Sequence, residues 1–445
     1  MKKIRMTLLL VWTLFFQIRG SAQEIHRFNI KDAIEYGSKN SAQVKNALLS
    51  YKMQEQTNRA ITSDALPQIS GSIGTVDNLI IATQLLPGEF AGQPAGTFIP
   101  IKFGTQYNTN LIATLKQTLF DGQVFVGLQA RKTALDYYQV NAELTEQNIR
   151  VNIYKVYYQL LLSRTQVELL DDNIRRAQDL LNNTSILYKN GFSEKLDVDR
   201  ATVQLSNLQA ELTRTNFTIE SGYLGLKILL GMPMKDSLIL ADSLTYERVR
   251  DVSLNENFNQ YADRKDYQLL RLNRDLNEFD IKRYRKMYLP TVTLNGYISQ
   301  NAYRTEFNVF DAKRDWYPAG YVSLNISIPI FDGFYKDANI KKAKFTLEQT
   351  QNQMEQLKIN IDGEVKQAQL RYASALTVLT SQKNNMDLAQ SVYDQTRKKY
   401  EQGVGSNTEI LTAENDLVRA QNEYINSLYN TIIAKIDYQN AIGKI

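Results

Sequence analysis

Cysteine is absent from these 445 residues, and histidine occurs once, as His26. The first absence excludes disulfides, thiolate metal sites, catalytic thiols and a lipidated cysteine behind a leader. The second leaves no material for a histidine-based triad or zinc site. Long apolar runs are missing too: beyond the N-terminal segment, none reaches the length that a membrane-crossing helix needs. Excess charge is missing as well. Of 52 basic side chains, Lys2, Lys3, Arg5 and Arg19 precede residue 23, so 52 − 4 = 48 face 47 acidic ones, about +1. That balance offers nothing to a polyanion, and no nucleic-acid partner is expected.

The N-terminus, MKKIRMTLLLVWTLFFQIRGSAQ, runs from basic residues through an apolar stretch at Met6–Phe16 to the small residues Gly20, Ser21 and Ala22. This pattern predicts a secretory signal peptide over residues 1–22. The product is then exported, and any bilayer-spanning part of it must be β.

What is present is a repeat. YKNGFSEKLDVDRA (188–201) and YEQGVGSNTEILTA (400–413) lie 212 residues apart. Each has a glycine three places after a tyrosine, an acid six places after the glycine and an alanine four further on. KQTLFDGQ (116–123) returns as SIPIFDGF (327–334), LPQISGSIG (66–74) as LPTVTLNGY (289–297), and Gly231 as Gly443. The chain reads as repeat 1 over 23–231, a connector over 232–264 and repeat 2 over 265–445.

Each repeat reads helix, strand, loop, strand, very long helix, turn, return helix. Ile149, Ile153, Val156, Leu160, Ser163, Val167, Leu170, Ile174, Ala177, Leu181, Thr184 and Tyr188 step by four and three, and so do the residues 212 further on. That is the period of a left-handed coiled-coil seam. It resumes after each turn, through Val198, Ala201, Leu205 and Leu208, and through Ile410, Ala413, Leu417 and Ala420. From Gly122 to Lys189 the 68 residues make a helix of about 100 Å. The turns fall at about 189–196 and 401–408.

Before each long helix the period changes to two. Val322, Leu324, Ile326, Ile328 and Ile330 alternate with polar residues and Pro329. Leu111–Leu119 follows the same rule, but Gln117 interrupts it and Ile112 faces the other way. Strands are expected at about 66–80, 106–120, 289–303 and 319–331. Phe103, Tyr107, Phe120, Tyr288, Tyr303, Trp316, Tyr317, Tyr321, Phe331 and Phe334 gather at their ends, as in aromatic girdles. Four strands cannot close a membrane barrel, so a spanning role requires an oligomer.

The ordered set IPIFDG and TLFDG at strand-to-helix junctions, the LP strand starts and the twice-used G-x5-[DE] turn resemble TolC-like outer-membrane efflux proteins over nearly the whole mature chain. The resemblance implies a mainly α fold with a membrane β part: coiled-coil helices form a periplasmic tunnel, and a homotrimer pools four strands per chain into a twelve-stranded barrel in outer-membrane lipid. It implies an exit duct in the cell outer membrane, reaching into the periplasm. A periplasmic adaptor would couple the duct to an inner-membrane pump of an efflux or type I secretion system, with no enzymatic activity and no cofactor or metal.

In that family the glycine turns are the periplasmic tips where the adaptor docks, here Gly191 and Gly403. Carboxylates beyond the turns ring the closed entrance. The matching residues are Asp197 and Glu409, with Tyr400 available to Asp197 as a contact. This chain departs from the pattern at Thr412, where a family member has a second acid, and at Gly405, in place of a gate-locking arginine. A gate of weaker acidic character with fewer polar locks is expected. Helix capping explains the same acids without a pore: Ser406–Glu409 fits a capping box, and Asp197 suits a helix N-terminal turn. Asp121 and Asp332 read as N-caps turning strand into helix, with Gly122 and Gly333 giving the backbone room to swivel.

Two other classes compete. A periplasmic coiled-coil adaptor or envelope spacer without a pore explains the leader and the heptads, but not amphipathic strands placed equivalently in both repeats. A secreted enzyme could use Asp171–Asp172 as an acid–base pair, but adjacent helical residues diverge, and these lie off the apolar seam.

Overall fold

The computed structural model describes residues 24–243, 261–308, 311 and 313–445. The expected leader and residues 244–260 of the expected connector lie outside them. In chain order the elements are β1 (Ile25–Phe28), α1 (Ile30–Asn40), α2 (Ala42–Ser63), β2 (Gln68–Asp77), β3 (Thr83–Pro87), β4 (Phe98–Lys102), β5 (Tyr107–Phe120), α3 (Gly122–Lys189), α4 (Lys195–Leu230), β6 (Ser237–Leu240), α5 (Lys265–Lys286), β7 (Thr291–Arg304), β8 (Tyr317–Ser327), α6 (Tyr335–Glu401) and α7 (Asn407–Ala441).

Contacts divide the chain into two units, and neither is a single repeat. One takes residues up to Ser50, Gln139–Leu269 and Met354–Ile445; the other takes Tyr51–Tyr138 and Leu270–Gln353. Each unit therefore draws matching stretches from both repeats.

The second unit holds a four-stranded antiparallel sheet in the order β2–β5–β7–β8. Paired residues share a face. Ile69 pairs with Leu115, Ile73 with Leu111, Ala113 with Ile298, Leu294 with Leu324 and Val292 with Ile326. The register thus collects most aliphatic residues of all four strands on one side, Val76 and Ile112 excepted. Among them Ile69, Ile73, Ile298, Val322 and Leu324 are largely exposed. The opposite side carries Ser70, Thr114, Tyr297, Tyr321 and Ser323, with Tyr297 stacked on Tyr321 at 5.2 Å and Ser70 bonded to Thr114 at 2.7 Å. Gln117, which breaks the alternation, donates to the Ala65 and Thr118 carbonyls, and the β5–β7 register slips between Thr118 and Phe120. β2 and β8 are open edges within the chain. β8 ends at Ser327, short of the expected 331, because Pro329 has no N–H for a ladder. A separate hairpin, β3–β4, occupies the loop before β5.

The first unit is helical. Leu170 and Ala177 of α3 cluster with Leu205 and Leu208 of α4. Leu180 of α3, Tyr393 of α6 and Ile410, Leu411 and Leu417 of α7 form another core. Val151, Leu379, Leu428, Ile432 and Ile436 extend it along the same three helices. α7 is therefore packed from both sides. A further core, around Ile153, Tyr157, Leu226 and Leu230, sits against α1 and the parallel pair β1–β6. All four pairs of β1–β6 join residues 212 apart, from Ile25–Ser237 to Phe28–Leu240. The start of the expected connector therefore pairs with the matching stretch of repeat 1. Tyr157 Oη fixes this clip with its one proton, lying 2.8 Å from Asp242 Oδ2 and 3.1 Å from Phe28 O.

Candidate functional site

The turns that end α3 and α6 are built alike. Gly191 has φ 77° and Gly403 has φ 74°, the left-handed region that glycine enters most easily. The Gly191 and Phe192 amides donate to Tyr188 O and Leu187 O, and those of Gly403 and Val404 to Tyr400 O and Lys399 O. Both are Schellman caps, closing a helix by satisfying its last carbonyls. Apart from the chain neighbours, no heavy atom lies within 4 Å of a Cβ built on either glycine, so the backbone conformation and not crowding calls for glycine at both.

The return helices start differently. Ser406 caps α7, its side chain accepting from Glu409 N at 3.2 Å, and the Glu409 carboxylate stays exposed. Only one arm of the expected capping box forms. At α4 the cap position is Glu194, with no side-chain cap bond. Asp197 is half-buried, accepts from Ser193 Oγ at 3.0 Å and lies 3.9 Å from Arg200. Burial pushes the Asp197 carboxyl upward, but hydrogen bonds from Asn407 and Ser193 and the nearby Arg200 outweigh it and leave its pKa lowered.

Tyr400 does not meet Asp197. Its hydroxyl bonds the Thr184 hydroxyl at 3.2 Å, inside the coiled coil. The two turns are joined by other residues: Arg200 Nη1 donates to Thr408 Oγ1 at 3.3 Å, and Asn407 Nδ2 to Asp197 O at 3.5 Å. Sequence reasoning found the acids and missed Arg200, Asn407 and Thr408, because these bonds cross between repeats and follow no periodicity. It also missed Glu414, 1% exposed between Ile410 and Leu417 on one face of α7.

Asp121 Oδ1 accepts from Gln123 N at 2.8 Å, at the start of α3. Asp332 Oδ2 accepts from Lys336 N at 3.1 Å, in the first turn of α6. Gly333 has φ 63° and allows the chain to swivel into α6. Gly122 is helical instead; a Cβ there would come within 2.8 Å of Lys286 Cβ and 3.0 Å of Lys286 O. The position needs glycine for close approach, not for a swivel. Asp172 pairs with Arg175 on the outside of α3 and Asp171 is exposed, so the two carboxylates do not converge on one point.

Comparison with known proteins places this geometry. A family model described as outer membrane efflux protein matches residues 38–231 and 261–444. The chain belongs to that family. Among the family's relatives, the proteases secretion protein PrtF of Dickeya chrysanthemi is 21% identical over 335 residues, covering 74% of this chain and 71% of PrtF. The outer membrane protein TolC of Escherichia coli is 22% identical over 349 residues, covering 75% of this chain and 69% of TolC. Solved structures share the fold at low identity. CusC superposes with a TM-score of 0.76 at 18% identity, over 93% of this chain and 92% of CusC. The Campylobacter jejuni CmeC outer membrane channel gives 0.76 at 15%, over 94% and 86%. The efflux-family fold is thus a mainly helical chain with a small membrane β part, and no described helix is long and apolar enough to cross a membrane. That last fact bears only on helices.

Proposed function

We propose that three copies of this outer-membrane efflux protein form one passive exit duct, closing their four-stranded sheets into a twelve-stranded barrel and their helices into a periplasmic tunnel. The observation that carries this reading is the sheet. One face is apolar and exposed across all four strands, and β2 and β8 leave open ladders at both edges. Lipid accepts the face and forbids the edges, and pairing β8 of one copy with β2 of the next removes both at once. The adaptor or spacer alternative gives such a sheet no role.

In this assembly the turns at Gly191 and Gly403 are the periplasmic tips that an adaptor grips, and through the adaptor an inner-membrane pump delivers cargo. Three-fold symmetry brings three copies of Glu409 and of Asp197 around the entrance, a ring that repels anions and attracts cations. The Arg200–Thr408 and Asn407–Asp197 bonds hold the two tips of each chain together. The duct performs no chemistry. Cargo is selected elsewhere.

Planar-bilayer recording of the purified protein tests this. The expected result is small cation-selective openings that lose selectivity when Asp197→Ala and Glu409→Ala are combined. Unchanged selectivity would return both acids to helix capping. An absence of openings in a correctly folded, detergent-extracted trimer with its tips loosened would overturn the duct.

A further inference from the structure

Heptad spacing along α7 sets Asn407, Glu414 and Gln421 at the same position, beside the seam of Ile410, Ala413 and Leu417, and they are 7%, 1% and 6% exposed. Gln421 is satisfied and Asn407 half so, its Oδ1 being buried without a partner. Asn407 donates to Asp197 O at 3.5 Å, and Gln421 Oε1 accepts from Asn173 Nδ2 at 2.9 Å. Glu414 is not: both of its carboxylate oxygens are buried without a hydrogen-bond partner. A protonated carboxyl tolerates that place far better than an ionised one.

The groups around Glu414 do not rescue the ion. From α3 comes Arg176, which is hydrogen-bonded to Asn173 and has its guanidinium 5.4 Å from the Tyr393 ring centre. From α6 comes Tyr393, with Asp394 and Arg397 acting on the same phenol, and Arg397 is paired with Glu401 at 2.8 Å. On α4, Asp199 and Arg200 line a groove with Thr412 and Asn415 on another face of α7. Burial pushes the Glu414 carboxyl up to about 7, against the pull of Arg176. Next to the seam, Leu180, Tyr393 and Ile410 also border a cleft of about 370 Å³, lined by the cations Arg176 and Arg397 and by the acids Asp179 and Glu401. Arg397 is held by Glu401, but Arg176 forms no ion pair among the described residues, so an ionised Glu414 has one cation to go to.

We propose that Glu414 is a proton-operated latch, which packs between α3, α6 and α7 when protonated and, when ionised, turns out to Arg176 in the cleft and frees the first turns of α7. That this loosening opens an entrance rests on the duct reading; the latch itself does not. The direction follows from linkage. A free carboxyl titrates near 4.5, so above that pH the packed seam binds the extra proton. The closed seam is fully favoured below about 4.5, weakens as pH rises to about 7 and is level beyond. The separation corresponds to a change of roughly 300-fold in the opening equilibrium. The matching residue of repeat 1 is the exposed Thr202, so each chain carries one latch rather than two.

Hydrogen exchange on the full-length protein in nanodiscs at about pH 5.5, 7 and 8.5, corrected for intrinsic chemical exchange, tests the latch. In the wild type, protection over residues 407–421 is expected to fall at least tenfold with rising pH, while residues 195–209 stay level. Glu414→Gln should keep the 407–421 stretch protected at every pH, and Glu414→Met should do the same if the glutamine variant misfolds. A wild type that is flat with pH, or variants that fall in parallel with it, would overturn the proposal. So would Glu409→Gln abolishing the change. Conductance is recorded alongside. A pH-dependent seam with no conductance at any pH would sustain the latch and sink the duct, whereas conductance over a flat seam would do the reverse.

Discussion

The two return helices began as one sequence and now live in different surroundings. α4 has 36 residues and buries six of them; α7 has 35 and buries sixteen. Both keep the seam that follows the tip, with Ala201, Leu205 and Leu208 matched by Ala413, Leu417 and Ala420. They part on the other face. Where α7 has Leu411, Val418, Ile425, Leu428 and Ile432, α4 has Asp199, Ser206, Thr213, Asn216 and Glu220. A second apolar face lets α7 sit between α3 and α6, while α4 meets α3 on one side. Duplication preserved the element and its length. Which copy became central was settled by about five side chains on one face.

That contrast can be broken directly. Leu428→Asn installs the α4 residue at a position 3% exposed, and should cost about 3–5 kcal/mol through lost burial and an unpaired amide. The reciprocal Asn216→Leu, at an exposed site, should stay within about 0.5 kcal/mol. Thermal unfolding of the purified protein measures both, and equal effects would refute the asymmetry. Next in size is Asn173→Ala. It strands the buried Gln421 amide, with an expected loss of about 1–3 kcal/mol in the same assay.

The tips sharpen the comparison from the opposite side, because here the copies should behave alike. Gly191→Ala and Gly403→Ala each force an L-residue to φ near 75° with no neighbour to clash, so each should cost about 1–2 kcal/mol, and the two should agree within error. A large difference would show that one turn is held by more than its backbone. The smallest effect separates the copies again. Ser406→Ala removes a cap bond and should lose about 1 kcal/mol, whereas Glu194→Ala, at a cap position without such a bond, should change stability little.

Much of this fold could be read from residue spacing. The heptads located both long helices and their turns, and period-two alternation located β2, β5, β7 and β8 to within a few residues. Two features escaped for physical reasons. In β3–β4, Pro87 and Pro100 argue against strands, yet a two-stranded hairpin has free edges where a missing N–H is tolerated. In β1–β6 each strand has only four residues, too few for a period, and their pairing depends on a register of 212. At the tips, the glycines and acids were visible because the repeat displays them twice. Arg200, Asn407 and Thr408 have no such echo. Glu414 gave no signal either, because next to Ala413 it takes an e position, where heptads commonly carry glutamate, and only the second apolar face of α7 buries it.

The β1–β6 clip also sets a timetable. Its second strand lies 212 residues downstream of its first. A chain made from its N-terminus therefore presents Ile25–Phe28 before its partner and must leave it unpaired until all of repeat 1 has followed. Closing so large a loop carries a heavy entropic cost, and non-local pairs of this kind form late. The first of the two strands to be made is thus among the last to settle, and until then its edge is open to chaperones, proteases or a neighbouring nascent chain.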